Sequence, residues 1–201
     1  MKHYPSIEKF RGGRAKLHTF DKLDGSGLRY GWSRRRGWYK FGTRSRLFDH
    51  TDEIFGPAIP LFMESLSEPL GRICTDQRWQ NAIVFAEFWG KQSFAGLHVP
   101  DDPKFLTPFD VTTDKKGFLP PKIFLKLFGE FGPNYLGDIN WTPGFIEDVL
   151  MNRIEGLTFE GVVGKTYVGK RLVMYKAKTG NWVDKVKATY DPIHAKEVID
   201  S

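Results

Sequence analysis

The chain has 201 residues, of which 40% are apolar and 15% aromatic, so it can bury a hydrophobic core and does not have the composition of a disordered protein. Its 30 Lys and Arg residues outnumber its 24 Asp and Glu residues, and the resulting net charge of +6 is compatible with a polyanionic partner. The single cysteine, Cys74, excludes an internal disulfide framework and a four-cysteine zinc site.

The first part of the chain predicts strands followed by a helix. Residues 15–22, AKLHTFDK, alternate apolar and polar side chains, as is typical of a half-buried strand. Residues 27–46 predict a β-hairpin with a basic turn. Apolar residues at helical spacing within 51–70 predict a helix, which Pro57 and Pro60 must kink or confine to its later part.

The middle of the chain predicts two buried strands and an amphipathic helix. The strands are AIVFAEFWG, residues 82–90, and LTPFDVT, residues 106–112. Residues 120–132, PPKIFLKLFGEFG, carry apolar side chains on one helical face. The first strand also contains a conspicuous acid, Glu87, inside its apolar run.

The last part predicts a helix and a second hairpin. Thr142 before Pro143 is a good helix start, and the helix is expected to stop at Gly156. The hairpin consists of FEGVVGKTY, a turn at VGKR and RLVMYKAKTGNW, within residues 159–182. Strands and helices that do not alternate strictly predict an α+β fold with largely antiparallel sheets.

Charged side chains occupy positions in these strands where the pattern requires core residues, namely Lys22, Glu87, Glu160, Lys176 and Lys178. Charges are rarely buried unless they are paired or functional, so these residues predict a lined cleft. Lys176 and Lys178 are two residues apart and should project from the same face of a strand. Two adjacent ammonium groups favour an anion between them, and a phosphate chain is the natural candidate.

Six short motifs occur in order and with suitable gaps: KLDG (22–25), FGTRS (41–45), FAEFWG (85–90), PFDV (108–111), FEGVVGK (159–165) and YKAK (175–178). Together they resemble the motif series of the covalent nucleotidyltransferases, which are the ATP-dependent polynucleotide ligases and the messenger-RNA capping enzymes. DNA ligases and capping enzymes usually carry an arginine where this chain has Gly27. KLDGSG and KTGNWVDKVK are instead similar to RNA ligases of the phage type.

The resemblance implies an ATP-grasp-like nucleotidyltransferase domain of α+β class, with largely antiparallel sheets flanking a nucleotide cleft. It further implies an ATP-dependent RNA ligase that joins a 3′-hydroxyl to a 5′-phosphate through lysyl-AMP and nucleic-acid-adenylate intermediates. Few residues follow Trp182. We therefore expect a single adenylyltransferase domain over residues 1–201, without a C-terminal OB-fold.

The resemblance also implies roles for the charged residues. Lys22 is the expected nucleophile toward the α-phosphorus of ATP. Lys176 and Lys178, together with Mg²⁺ or Mn²⁺, are expected to activate Lys22 and to neutralise charge on the phosphate. Glu87 and Glu160 match the carboxylates that hold ribose hydroxyls and the hydrated metal.

Other residues of the expected nucleotide site also match the motifs. They are Asp21 for the adenine amino group, Asp24 and Gly25 for ribose or phosphate, Arg44 for ribose and later the 5′-phosphate of the acceptor, Phe109 for stacking on adenine, and Lys165 for ribose or phosphate. Some have a purely structural interpretation as well. Asp24 and Gly25 suit a hairpin turn, Arg44 suits a solvated surface, and Phe109 suits the core.

Three alternative functions stay open: a DNA or mixed-substrate nick ligase, a GTP-dependent capping enzyme, and an RNA-binding module without chemistry. The polynucleotide is expected to bind a basic face in a strongly salt-dependent way. The candidate residues of that face are Arg34, Arg35, Arg36, Lys40, Arg46, Lys185 and Lys187. Because no segment reaches the roughly 20 apolar residues of a membrane span, we expect no membrane partner. The single cysteine suits a reducing cytoplasm, whether of a cell or of the host of a phage, and we expect a monomer.

Overall fold

The computed structural model describes residues 1–114, 117–169 and 171–200, which form an α+β fold with two mostly antiparallel sheets. The predicted fold class is therefore confirmed. The chain divides into two compact units. Unit 1 comprises Met1–Tyr4 and Gly25–Gly132, and unit 2 comprises Pro5–Asp24 and the described residues from Pro133 onward. In this described part of the chain, none of the helices is both long and apolar enough to cross a bilayer.

The elements are numbered here in chain order. The strands are β1 (Glu8–Lys9), β2 (Ala15–Lys22), β3 (Gly25–Ser33), β4 (Gly37–Gly42), β5 (Leu47–Phe48), β6 (Asn81–Gly90), β7 (Lys104–Thr113), β8 (Gly117–Phe118), β9 (Tyr135–Trp141), β10 (Gly161–Val168) and β11 (Arg171–Lys178). The helices are α1 (Ala58–Ser65), α2 (Ser67–Asp76), α3 (Pro121–Phe128), α4 (Pro143–Leu150), α5 (Gly180–Thr189) and α6 (Pro192–Asp200).

Unit 1 contains one sheet, whose described strands lie in the order β5-β4-β3-β6-β7-β8 and pair antiparallel throughout. Its core is rich in aromatic side chains. Tyr30 of β3 stacks on Phe62 of α1 with ring centroids 3.9 Å apart, and Trp38 meets the same Phe62 ring edge-on at 4.8 Å. Many of the phenylalanines of the chain therefore serve this core.

The hairpin predicted in unit 1 is confirmed as β3 and β4, but the helix predicted within 51–70 is two helices. Helix α1 begins after Pro57, and α2 continues to Asp76. The backbone leaves helical geometry at Leu66, whose φ is −122°. Pro60 and Pro69 each fall in the first turn of a short helix, where the missing N–H has no intrahelical partner to lose.

Unit 2 contains the other sheet, with its described strands in the order β1-β11-β10-β2-β9. Strand β1 runs parallel to β11, and the remaining pairs are antiparallel. Leu17, Trp141 and Val162 belong to its buried cluster. The Trp141 indole donates to Thr19 Oγ1 at 2.9 Å, so the polar atom of this large buried ring is satisfied. The strand predicted over 15–22 is confirmed as β2.

Several predicted boundaries in unit 2 were wrong. Helix α4 is capped by Thr142, as predicted, but it ends at Leu150 and not at Gly156. Strand β10 starts at Gly161, so Glu160 lies just before the strand and not within it. Strand β11 ends at Lys178, because the side chain of Thr179 accepts from Trp182 N and starts α5. Lys170 of the predicted VGKR turn lies outside the described residues.

Candidate active site

Three adjacent strands of unit 2 bring predicted site residues together. Gly161 of β10 is the Cα partner of Lys22 on one side and of Lys178 on the other. Gly161 has a φ of +150°, and a Cβ there would lie 2.1 Å from Ala177 O, so this close approach requires glycine. Glu160 directly precedes Gly161. The strand register therefore places two lysines beside one carboxylate.

The Glu160 carboxylate bridges the two lysines. Its Oε2 accepts a hydrogen bond from Lys22 Nζ at 2.7 Å, and its Oε1 lies 3.2 Å from Lys178 Nζ. The side chains of Glu160 and Lys178 are each 6% exposed, whereas that of Lys22 is 22% exposed. The Lys22 amine is thus held in place by an ion pair and keeps access from solvent.

Lys176 adds a third positive charge to this group. Its side chain is buried, and its pKa is lowered to about 8, first by burial and then by the positive charges of Lys178 and Lys22. Burial is also the largest cause of the lowered pKa of Lys178, and the Glu160 carboxylate opposes that shift. Folding has therefore placed like charges together at a cost, which is typical of a site that receives an anion.

The C-terminal end of α6 supplies acceptors to both of the β11 lysines. Lys178 Nζ donates to Val198 O at 3.1 Å, and Lys176 Nζ donates to Asp200 O at 3.3 Å. The Asp200 carboxylate pairs with Lys9 at 2.5 Å. The C-terminus of a helix carries partial negative charge, so α6 stabilises these cations. An anion that binds the two lysines can accept from N–H groups that these carbonyl oxygens do not use, or can displace the carbonyl oxygens.

Replacing Lys176 by methionine is expected to stabilise the protein by about 1 kcal/mol at pH 7, because a buried charge among like charges is removed. Above pH 8, the folded wild type loses this proton while the unfolded chain keeps it up to its ordinary pKa of 10.5, so wild-type stability rises across that window. The advantage of the variant should therefore shrink from pH 8 to 10.5. Urea unfolding of both proteins across this range checks the prediction, with the exposed Lys187→Met as control. An advantage that is constant with pH would contradict it.

Trp182 is a residue of this cluster that the motif comparison did not single out. Its indole Nε1 donates to Asp24 Oδ2 at 2.7 Å, and Lys178 Nζ lies 3.9 Å from its ring centroid. Asp24, predicted to contact ribose or phosphate, therefore holds Trp182 in this structure. The sequence signal that could have identified Trp182 was Thr179. As a helix cap, Thr179 puts Trp182 in the first turn of α5.

Two further predicted residues of unit 2 lie on β2 and β10. Asp21 Oδ1 accepts from Thr158 N at 3.1 Å, and burial raises the pKa of this carboxyl group. Lys165 is buried, with its Nζ 5.2 Å from the ring centroid of Phe20. Both side chains are thus packed within the unit, and neither contact tests the role predicted for it in nucleotide binding.

In unit 1, the sheet brings Glu87 and Phe109 to a bare stretch of backbone at Gly27. Gly27 of β3 is the Cα partner of Glu87 on β6. A Cβ on Gly27 would lie 3.8 Å from Glu87 Oε2 and 4.0 Å from Phe109 Cζ. This surface combines a carboxylate, an aromatic ring and no intervening side chain, which suits a flat polar ligand such as a nucleoside.

A β-bulge sets the direction of the Phe109 side chain. The register of β6 and β7 shifts between Phe85 and Ala86, which leaves Phe109 as the extra residue. The Tyr4 ring meets Phe109 edge-on at 5.0 Å, and the Tyr4 hydroxyl donates to Asp110 Oδ2 at 2.5 Å. The amino-terminal tyrosine is therefore part of the support for Phe109, a contact that the sequence did not indicate.

The other predicted residues of unit 1 have simpler surroundings. Gly25 begins β3 and lies against β6, where a Cβ would come within 2.3 Å of Phe88 O, so this close approach requires glycine. The interpretation of Asp24 and Gly25 as a hairpin turn is wrong, because β2 and β3 belong to different sheets. Arg44 is exposed, and its backbone carbonyl lies 2.5 Å from His3 Nδ1. An exposed guanidinium leaves both interpretations of Arg44 open, as a ligand of phosphate and as a solvated surface charge.

Comparison with known proteins gives matches among solved structures, whereas no family model and no curated protein matches the chain. An archaeal ATP-dependent RNA ligase matches with a TM-score of 0.63 and 14% identity, over 100% of this chain and 56% of its own. A Naegleria gruberi RNA ligase with PPi matches with a TM-score of 0.62 and 17% identity, over 94% of this chain and 58% of its own. A mutant of a Naegleria gruberi RNA ligase, with ATP and Mn, matches with a TM-score of 0.58 and 17% identity, over 90% of this chain and 59% of its own.

This chain thus spans somewhat more than half of the length of these RNA ligase structures. At such low identity the likeness establishes the fold, while activity and substrate need their own support. The resemblance that six short motifs predicted is confirmed at the level of three-dimensional structure. Over the matched region, the chain has the fold of ATP-dependent RNA ligases.

Proposed function

We propose that this chain is the catalytic region of an ATP-dependent RNA ligase, in which Lys22 is adenylylated by ATP. The observation that carries the proposal is the bridge at Glu160, where the Lys22 amine and Lys178 share one carboxylate and Lys176 lies close by. A nucleophilic amine among further cations is what attack on a polyphosphate needs. RNA as the substrate class is supported by the RNA ligase fold and by the KLDGSG sequence.

In the proposed step, the lone pair of Lys22 Nζ forms a bond to the α-phosphorus of ATP. The bond between that phosphorus and the oxygen bridging to the β-phosphate breaks, and pyrophosphate leaves with the electron pair. The amine must lose one proton before attack and a second one afterwards, which leaves the nitrogen of the phosphoramidate uncharged while its phosphoryl group keeps one negative charge. The positive charges of Lys176 and Lys178 are proposed to assist this loss of protons, against the Glu160 carboxylate, whose ion pair with Lys22 stabilises the ammonium form.

Lys176 and Lys178 are proposed to bind phosphate oxygens while the leaving group departs. Their ammonium groups donate to carbonyls of α6, and a bound phosphate would offer stronger hydrogen bonds, in which donor and acceptor are both charged. The described residues contain no group of three or more His, Cys, Asp or Glu side chains that could hold a metal. A divalent cation would be held by phosphate oxygens, water and one or two carboxylates, for which Glu160 and Glu87 are the proposed residues, and it would add positive charge at the phosphate.

Residues of unit 1 are proposed to recognise the nucleoside and the acceptor. The bare backbone at Gly27 supports stacking of adenine on Phe109 and a ribose contact of Glu87. Arg44 is proposed to contact ribose and later the 5′-phosphate. In the following steps, AMP passes from Lys22 to the 5′-phosphate of one RNA end, and the 3′-hydroxyl of another end then displaces it.

Intact-protein mass spectrometry tests the first step. The protein is incubated with Mg²⁺ and either ATP or GTP, denatured and weighed. We expect a gain of one AMP with ATP, no gain with GTP, and reversal of the gain when pyrophosphate is added. A gain of one GMP would indicate a capping enzyme, and no covalent gain with either nucleotide would contradict the proposal.

A further inference from the structure

Hydrogen bonds hold the basic turn between β3 and β4 in shape. Ser33 pairs with Gly37, and Arg36 N donates to both Ser33 O and Ser33 Oγ at 3.2 Å. Gly37 closes the turn with a φ of +66°, a conformation that favours glycine. Arg34 N donates to Gln80 O at 2.9 Å, which ties the turn to the residue before β6. The arginine side chains of this turn therefore project from a fixed backbone.

A concave surface of about 400 Å³ lies beside this turn within unit 1. Among the described residues that line it are three cations, Arg35, Arg36 and Lys40, and no carboxylate. Gln80 and Asn81 also line it, and the Asn81 amide nitrogen donates to Asp114 Oδ2 at 3.4 Å. The surface can therefore bind an anion that also presents neutral hydrogen-bonding groups.

Tyr39 places an aromatic ring among these cations. The ring is 37% exposed, and its centroid lies 5.4 Å from Arg36 Cζ and 5.4 Å from Lys40 Nζ. Both distances are within the range of cation–π attraction, which holds the cations close to the ring. An accessible ring flanked by cations offers a stacking platform with positive charge at its edges.

We propose that this surface, defined by Arg35, Arg36, Tyr39, Lys40, Gln80 and Asn81, binds single-stranded RNA. A base would stack on Tyr39, the amides would meet base edges, and the three cations would contact successive phosphates. An unpaired strand is favoured because a duplex keeps its bases stacked and leaves no face for the ring. The choice of RNA over DNA rests on the proposed ligase function.

Fluorescence anisotropy with a labelled single-stranded oligouridine tests this surface. Arg35→Ser/Arg36→Ser/Lys40→Ser should weaken binding at least tenfold and make the slope of log K against log salt shallower by about 2. Tyr39→Ala should weaken binding about tenfold without changing that slope. The charge-matched control Lys91→Ser/Lys122→Ser/Lys126→Ser, at exposed positions of the same unit, should change binding less than about threefold.

Several outcomes would overturn the inference. Equal losses in the two triple variants would show that net charge alone attracts RNA. If Tyr39→Ala binds the oligouridine with wild-type affinity, Tyr39 is not a stacking platform. If the Arg35, Arg36 and Lys40 triple variant loses as much affinity for a blunt RNA duplex as for the oligouridine, the surface has no preference for a single strand. The AMP adduct is measured on every protein. If wild type forms the adduct and does not bind the oligouridine, this inference fails while the proposed function stands. If RNA binds as predicted and no adduct forms, the ligase proposal fails.

Discussion

Replacing Lys22 by alanine is expected to abolish covalent adenylylation, because no other amine of the Glu160 bridge occupies its position at the end of β2. Lys22→Arg is the sharper variant. It keeps the positive charge and the ion pair with Glu160, but a guanidinium stays protonated and cannot act as the nucleophile. Both variants should therefore lose the AMP adduct in the intact mass spectrum, and Lys22→Arg should unfold within about 0.5 kcal/mol of wild type.

Lys16→Ala is the matched control for these variants, since Lys16 is an exposed lysine of the same strand. It should form the adduct at the wild-type rate. A full adduct in Lys22→Arg would show that another residue is the nucleophile. Loss of folding in both Lys22 variants would show that this lysine has a structural role, and circular dichroism separates that outcome from a loss of chemistry.

Glu160→Gln is expected to have the largest effect on stability. The amide has nearly the same shape as the carboxylate but removes the larger counter-charge of the buried Lys178 ammonium, 6% exposed, and leaves only the smaller contribution of Asp24. Removing one partner of a buried ion pair typically costs about 3 kcal/mol, and the repulsion from Lys176 and Lys22 acts in the same direction. Urea unfolding at pH 7 should show this loss, and adenylylation should also fall at least a hundredfold.

A second substitution separates the two effects of Glu160→Gln. Lys178→Met in the Glu160→Gln background removes the uncompensated charge, so we expect it to recover most of the lost stability without recovering adenylylation. The exposed Glu155→Gln serves as control and should leave both quantities unchanged. If Glu160→Gln unfolds like wild type, Glu160 does not stabilise the lysines, and the electrostatic description of this cluster is wrong.

Local sequence patterns predicted the elements in which they repeat regularly. The alternation in AKLHTFDK gave β2 with its observed bounds, and Thr142 before Pro143 gave the start of α4. The patterns missed β1, β5, β8, β9, α5 and α6. These elements are short or polar, and they are stabilised by neighbours distant in the chain, as when β9 pairs with β2 and Asp200 of α6 pairs with Lys9.

The candidate site likewise contains features that local patterns predicted and features that they missed. Lys176 and Lys178 were predicted to share a face because their spacing of two residues fixes the direction of side chains on any strand. Glu160 was predicted to lie within a strand, whereas it lies just before β10. The start of a strand depends on where its partner strands begin, and Gly161 must approach β11 closely. Trp182 was missed because its contact with Asp24 joins residues that are far apart in the chain.

The sequence by itself thus determined the α+β class, the motif series and the residue types of the chemistry, because periodicity and short motifs are local properties of the chain. Tertiary structure alone decided that Lys22 and Lys178 flank Gly161, that α6 supplies acceptors to Lys176 and Lys178, and that a bulge directs Phe109. Strand register and packing are set by contacts between distant segments, and a shift of one residue would turn each side chain to the opposite face.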